Sequence, residues 1–236
     1  MNVKKLIFPF IAIYLIFSYS IYFLDIDTRT RLTEEDGLFE SLGAGYFFIG
    51  AGIFFLLAFY FYPRAQNRRT AFISRYFYTF LGVFLLLCFL EEISWGQRIF
   101  MVKTPVFFKA YNLQKETNIH NLIWWRRELV NPPSLFIIFS LIFCVAIPIA
   151  NKISPAVRSL VEKVGLPLVP IPLALLFFIN YLSVHSKFFV PGQRIIDFIE
   201  EIRESNFAFL FMWYAIFELS RSLGKNKLYH PEGQIS

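Results

Sequence analysis

Long apolar runs, separated by short polar stretches, set the pattern of this chain. Six of them match the roughly 20 mainly apolar residues that a bilayer-spanning helix needs. They cover residues 6–24, 42–62, 72–92, 133–150, 166–184 and 202–220. The third and sixth are densest at 76–90 and 207–219, and helical patterning carries each beyond that window. The fifth opens on Pro167, Pro170 and Pro172, which fit a helix start and not its interior. Between the third and fourth runs lies a long polar and aromatic stretch. There Phe107, Phe108 and Tyr111 precede Leu122, Ile123, Trp124 and Trp125, with Arg126 and Arg127 next. Trp beside Arg suits the headgroup level, so this stretch predicts one or two helices lying in the membrane interface. The expected fold is an all-α integral membrane protein of about six transmembrane helices plus those interfacial helices. Residues 1–236 form one domain, because no repeat, linker or low-complexity run divides them.

Composition agrees with the pattern. Hydrophobic residues make up 56% of the 236, 31 of them Phe, against 17% charged. The mean hydropathy is +0.53. Soluble domains average roughly 45–50% apolar residues, and so few charges would not cover this much apolar surface in water. The net charge of +6 does not point to nucleic acid, since the basic residues are scattered and form no arm. Cys88 and Cys144 sit inside apolar runs and show neither disulfide nor zinc spacing. The first run is longer than the apolar core usual in a signal peptide, so it reads as an uncleaved helix.

Loop charges set the expected orientation. With the N-terminus in the cytoplasm, the inside segments hold 12 basic residues against three acidic ones, Glu162, Glu218 and Glu232. The outside segments hold 11 basic and 14 acidic residues. Short basic inner loops follow the positive-inside rule. The chain is therefore expected in the plasma (inner) membrane of a bacterium, both termini cytoplasmic and the long loops outside.

That topology gathers the chemistry-bearing residues at the outer face. The first outer loop carries Glu35, Asp36 and Glu40. The end of the third span carries Glu91, Glu92, Trp95, Gln97 and Arg98. The long loop carries Glu116, Asn118, His120 and Asn121, and the last loop carries His185, Glu200, Glu201 and Glu204. Glu92 lies 17 residues beyond Arg75, and Glu204 lies 17 before Arg221. Each separation is roughly 25 Å of helix, so two helices bring carboxylates to one depth near the outer boundary. Carboxylates there normally face the bundle interior, paired or wetted. If the stretch from Glu116 is helical, Glu116 and His120, four apart, share a face. The expected catalytic set is His120 or Glu92 as general base, Glu116 orienting His120, and Arg98 holding an anionic group. No cofactor is specified. A divalent metal among Glu92, Glu116, His120 and Glu204 is chemically reasonable, with Mg²⁺ or Ca²⁺ the easiest fit to oxygen ligands.

Three stretches carry a resemblance. They are Glu35-Asp36-Gly37 with Glu40, then Glu91-Glu92-Ile93-Ser94-Trp95-Gly96-Gln97-Arg98, then Gln114-x-Glu116-x-Asn118-x-His120-Asn121-Leu122. Together they resemble a bacterial family of multipass membrane proteins with no established activity. The resemblance implies a real site at the outer face and names no chemistry for it. Three functions remain open. The first is a membrane-embedded hydrolase or transferase acting on membrane lipids or a lipid-linked substrate. The second is a non-catalytic subunit docking a protein partner at the outer face. The third is a cation transporter or channel, which the absence of any charge near the middle of a span disfavours.

Overall fold

The computed structural model describes residues 3–34, 37–61, 68–97, 99–124, 131–185 and 193–229. The described chain is all-helical, relieved by a single isolated bridge between Asn112 and Leu122. Helix α1 (Val3–Ser20) ends in a 3₁₀ turn, and α2 (Ile26–Thr33) starts at Asp25, whose side chain accepts the Thr28 amide. Helix α3 (Leu38–Leu56) runs on as a π-helical turn through Phe61. Helix α4 spans Arg68–Glu92, and α5 is a short helix over Val106–Tyr111. Helix α6 (Pro132–Ser140) passes through a π segment into α7 (Ile147–Ile153). Helices α8 (Pro155–Val164), α9 (Ile171–His185) and α10 (Gln193–Tyr229) complete the chain.

Three helical stretches among the described residues are long and apolar enough to cross a membrane: Ile26–Phe61, Phe72–Glu92 and Pro132–Ile153. The apolar parts of α1 and α9, Ile7–Phe23 and Ile171–Ser183, are shorter. The expected span at 166–184 begins helically only at Ile171, because the prolines before it cannot supply backbone donors to a helix. Helix α10 is long, but charged residues flank its apolar middle. There Phe207, Ala208, Leu210, Phe211, Tyr214 and Ala215 are all fully buried. A helix apolar on every side belongs in the centre, and α10 packs chiefly on α3 and α9.

Close packing of α3 on its neighbours depends on small residues. A Cβ at Gly50 would stand 2.9 Å from Leu85 Cδ1 and 3.5 Å from Met212 Cα. One buried cluster joins α1, α3, α4, the α6–α7 segment, α9 and α10. The outside is apolar too. Phe72, Tyr76, Phe80, Val83 and Leu87 form an exposed stripe along α4, at spacings of three and four that keep one helix face. A soluble protein rarely exposes such a stripe, whereas lipid solvates it.

Opposite ends of the bundle differ in charge. At the basic end, buried Glu218 accepts from Tyr78 Oη at 2.6 Å and from Arg221 NH1 at 2.5 Å. The same guanidinium also donates to the Leu168 carbonyl. This cluster ties α4, α10 and the stretch before α9 together. The acidic end carries the candidate site.

Candidate functional site

Helix α4 stops at Glu92, and the chain reverses through a left-handed turn. Ser94, Trp95 and Gly96 have φ of 47°, 55° and 77°. Side chains other than glycine adopt this region at a cost of roughly 1–2 kcal/mol per residue. The turn directs Trp95 Nε1 back onto Glu91 Oε1 at 2.6 Å and Ser94 Oγ onto Glu116 Oε2. Glu91 Oε2 accepts three more hydrogen bonds, from the amides of Ile119 (2.7 Å) and His120 (3.0 Å) and from His120 Nδ1 (3.1 Å). Gln97 Oε1 accepts from the amide and hydroxyl of Thr117, while its Nε2 donates to Thr104 Oγ1. Within the loop, Asn112 Nδ2 donates to the carbonyl and side chain of Asn118, and Asn121 Nδ2 donates to Gln114 Oε1. The second and third sequence motifs are thus two halves of one hydrogen-bonded knot.

Several expected roles change as a result. Residues 116–122 form turns and not a helix, so Glu116 and His120 do not share a helical face. Glu116 binds Ser94, and the carboxylate beside His120 is Glu91. Loop hydrogen bonds outcompete helix formation here, starting with Lys115 at φ 59°. Asn118 and Asn121 hold the knot, as do Gln97 and Trp95. Within the stretch expected to hold interfacial helices, the short helix α5 forms. Its Phe107 and Tyr111 meet Trp124, with ring centroids 5.8 Å apart in each pair. Residues 125–130 lie outside the described residues, as do Glu35, Asp36 and Arg98. His185 closes α9, and its side chain likewise lies outside what is described.

Glu92 neighbours Glu91 in sequence but turns elsewhere. It makes no hydrogen bond or ion pair with a described residue. Instead it lines a cavity of about 510 Å³ with Glu91, His120, Arg203 and Glu204. Glu40, Glu91, Glu201 and Glu204 all stand within electrostatic reach of it. Glu40 of α3 and acidic residues of α4 and α10 therefore lie near one another. Glu200 lies one turn before Glu204 on α10 and takes part in other contacts. Among the described residues no three His, Cys, Asp or Glu side chains stand as a metal-holding group. Glu92, Glu116, His120 and Glu204 are not assembled as ligands, since Glu116 is turned to Ser94.

The rest of the cavity is apolar. Phe80, Phe84, Leu87, Leu135, Phe136 and Phe139 contribute walls from α4 and α6. Aromatic rings meet across the seam between these helices. Phe84 lies 4.7 Å from Phe139 and 5.7 Å from Phe136, centroid to centroid. Phe80, Leu87 and Leu135 are each about half exposed on the outer surface of the bundle. The cavity thus joins a polar head to the apolar exterior through the α4–α6 seam.

Arg203 is the principal cavity residue that the sequence did not single out. It is 5% exposed. Its NH2 lies 3.6 Å from Glu204 Oε1, its Nε has no hydrogen-bond partner, and its carbonyl accepts from Asn180. The available signal was its place four residues before Phe207, on the buried face of α10. The phenylalanine walls gave no signal in a chain so rich in Phe.

No family model matches the chain, and no curated protein or solved structure matches it.

Proposed function

We propose that this chain is a six-span enzyme of the plasma (inner) membrane, working at the outer leaflet on a lipid or lipid-linked substrate. Both termini face the cytoplasm, and α1, α9 and α10 complete the bundle beside the three longer apolar stretches. The observation that carries the reading is the shape of the cavity. Its charged head, with His120, Glu91, Glu92, Arg203 and Glu204, opens along apolar walls toward the lipid-facing side. A lipid would slide between α4 and α6 with its chain against phenylalanine and its head among the charges. A water-soluble substrate would have no use for that seam.

The chemistry follows from the contact between His120 and Glu91. A carboxylate oxygen accepts, so Glu91 Oε2 at 3.1 Å places the ring proton on Nδ1. That leaves the Nε2 lone pair without a partner among the described residues. Nε2 then removes a proton from water or from an acceptor hydroxyl as it attacks an ester or phosphoester, and returns that proton to the departing alkoxide. Hydrolysis balances with water alone. The same path with an acceptor alcohol is group transfer. Glu91 fixes the ring and its tautomer, a role earlier expected of Glu116. Glu92 and Arg203 face the substrate head.

The test is incubation of the purified protein, in nanodiscs of bacterial polar lipid extract, with products followed by mass spectrometry. Wild type should convert at least one lipid class. His120→Ala should lower conversion at least about 100-fold, the usual scale for loss of general acid–base catalysis, and Glu92→Gln should lower it less, by weakening capture of the substrate head, with membrane insertion intact. A wild-type protein that converts no lipid, or an active His120→Ala, would overturn the enzymatic reading.

A second reading, a non-catalytic subunit docking a partner at the outer face, draws on one observation. Ile99, Phe100, Met101, Val102 and Val106 are strongly exposed beside the knot. Under that reading a partner co-purifies in mild detergent and is lost on Phe100→Asp.

A further inference from the structure

The head of the cavity has an unusual charge pattern that bears on which lipid it accepts. Glu91 is satisfied by four donors. Glu92 has none among the described residues, and it faces the cavity beside Glu204. Against them stands Arg203, buried, with Nε unpaired and a long 3.6 Å contact to Glu204. A buried guanidinium with five donors and so few acceptors is costly unless a ligand supplies them. Glu92 is similarly costly unless a cation joins it, and Glu204, partly exposed, has among the described residues only its long contact with Arg203. The head therefore needs an anionic group and a cationic group together.

Resting on the lipid reading above, we propose that the cavity selects a zwitterionic phospholipid bearing a primary amine, of the phosphatidylethanolamine type. Arg203 takes the phosphate, for which a planar guanidinium fork is well shaped. Glu92 and Glu204 take the ammonium, whose N–H groups donate to carboxylate oxygens. The acyl chain follows the phenylalanine walls to the α4–α6 seam. An anionic phospholipid satisfies Arg203 but brings no cation to Glu92 and competes with Glu204 for the Arg203 guanidinium. A choline headgroup brings charge without N–H donors, so it cannot make the same hydrogen bonds to the carboxylates.

The experiment is native mass spectrometry of the full chain in detergent, offered phosphatidylethanolamine, phosphatidylcholine and phosphatidylglycerol of identical acyl chains. The expected result is retention of phosphatidylethanolamine at least about tenfold over either competitor, a difference of about 1.4 kcal/mol. Glu92→Gln should bring phosphatidylethanolamine down to the level of phosphatidylcholine. Arg203→Gln should weaken binding of all three, and Arg203→Lys should restore part of it. Equal retention of the three lipids, or preference for phosphatidylglycerol, overturns the proposal. The wild-type comparison holds even if a variant fails to fold. Conversion of phosphatidylglycerol in nanodiscs with no ethanolamine preference would sink this inference and leave the enzymatic reading standing. Selective ethanolamine binding without conversion of any lipid would do the reverse.

Discussion

Glu91→Gln isolates the knot from the cavity. The carboxylate receives Trp95 Nε1 on one oxygen, and two amides plus His120 Nδ1 on the other. Glutamine has nearly the same volume but a single acceptor oxygen and no charge. If that oxygen keeps the loop amides, the amide nitrogen faces the Trp95 donor and that bond is lost. The remaining bonds become neutral. Hydrogen bonds to charged groups contribute about 1.5–3 kcal/mol and neutral ones about 0.5–1.5, so the three retained bonds lose roughly 1 kcal/mol each. The local closing free energy of the loop should fall by about 3 kcal/mol, which at 1.4 kcal/mol per decade is about a 100-fold rise in opening. Hydrogen exchange with mass spectrometry reads this directly. Peptides covering 112–122 should exchange about 100-fold faster in Glu91→Gln, while those covering 171–183 in α9 stay at wild-type rates. Unchanged exchange at Ile119 and His120 would refute the idea that Glu91 anchors the loop. Acceleration throughout the chain would mean that the side chain supports the whole bundle.

Other outcomes check the remaining claims. In a background lacking Cys88 and Cys144, cysteines at Asp36 and Met101 should react with an impermeant maleimide added to intact cells, and those at Arg68 and Arg158 should be protected. The opposite pattern would invert the proposed orientation. Gly50→Val should lower the thermal midpoint in detergent, since overpacking costs about 1–3 kcal/mol. Gly52→Val should not, because no atom lies within 4 Å of a Cβ there. Equal losses in the two variants would show that helix propensity and not close approach governs this face. Leu135→Trp, at the opening of the seam, should slow lipid conversion while leaving exchange of the 112–122 loop unchanged.

The helical character of the chain was legible before any tertiary contact. Apolar runs of this length, carrying so few charges, satisfy their backbone polar groups only as helices in lipid. Local signals also predicted the polar gathering around residues 91–121, whereas the fifth apolar run, expected to be helical from residue 166, becomes so only at Ile171. Periodicity reports which side of an element is apolar, and it does so from neighbours along the chain.

Partner choice is a different matter, because it depends on packing between distant segments. Successive residues on a helix are turned by about 100° from one another. Glu91 and Glu92, indistinguishable in sequence, therefore serve a loop anchor and an open cavity respectively. The spacing of Glu116 and His120 suited a helix, yet the bond that Ser94 donates to Glu116 and the one that Glu91 accepts from the Ile119 amide hold that stretch in turns. Arg203 resembled any interfacial arginine until α10 took the centre of the bundle and buried it. Helicity, the long apolar stretches and the gathering of polar residues around 91–121 came from the sequence alone. The pairing of His120 with Glu91, the burial of Arg203 and the seam between α4 and α6 came only from the tertiary structure, because each brings together groups that no local pattern relates.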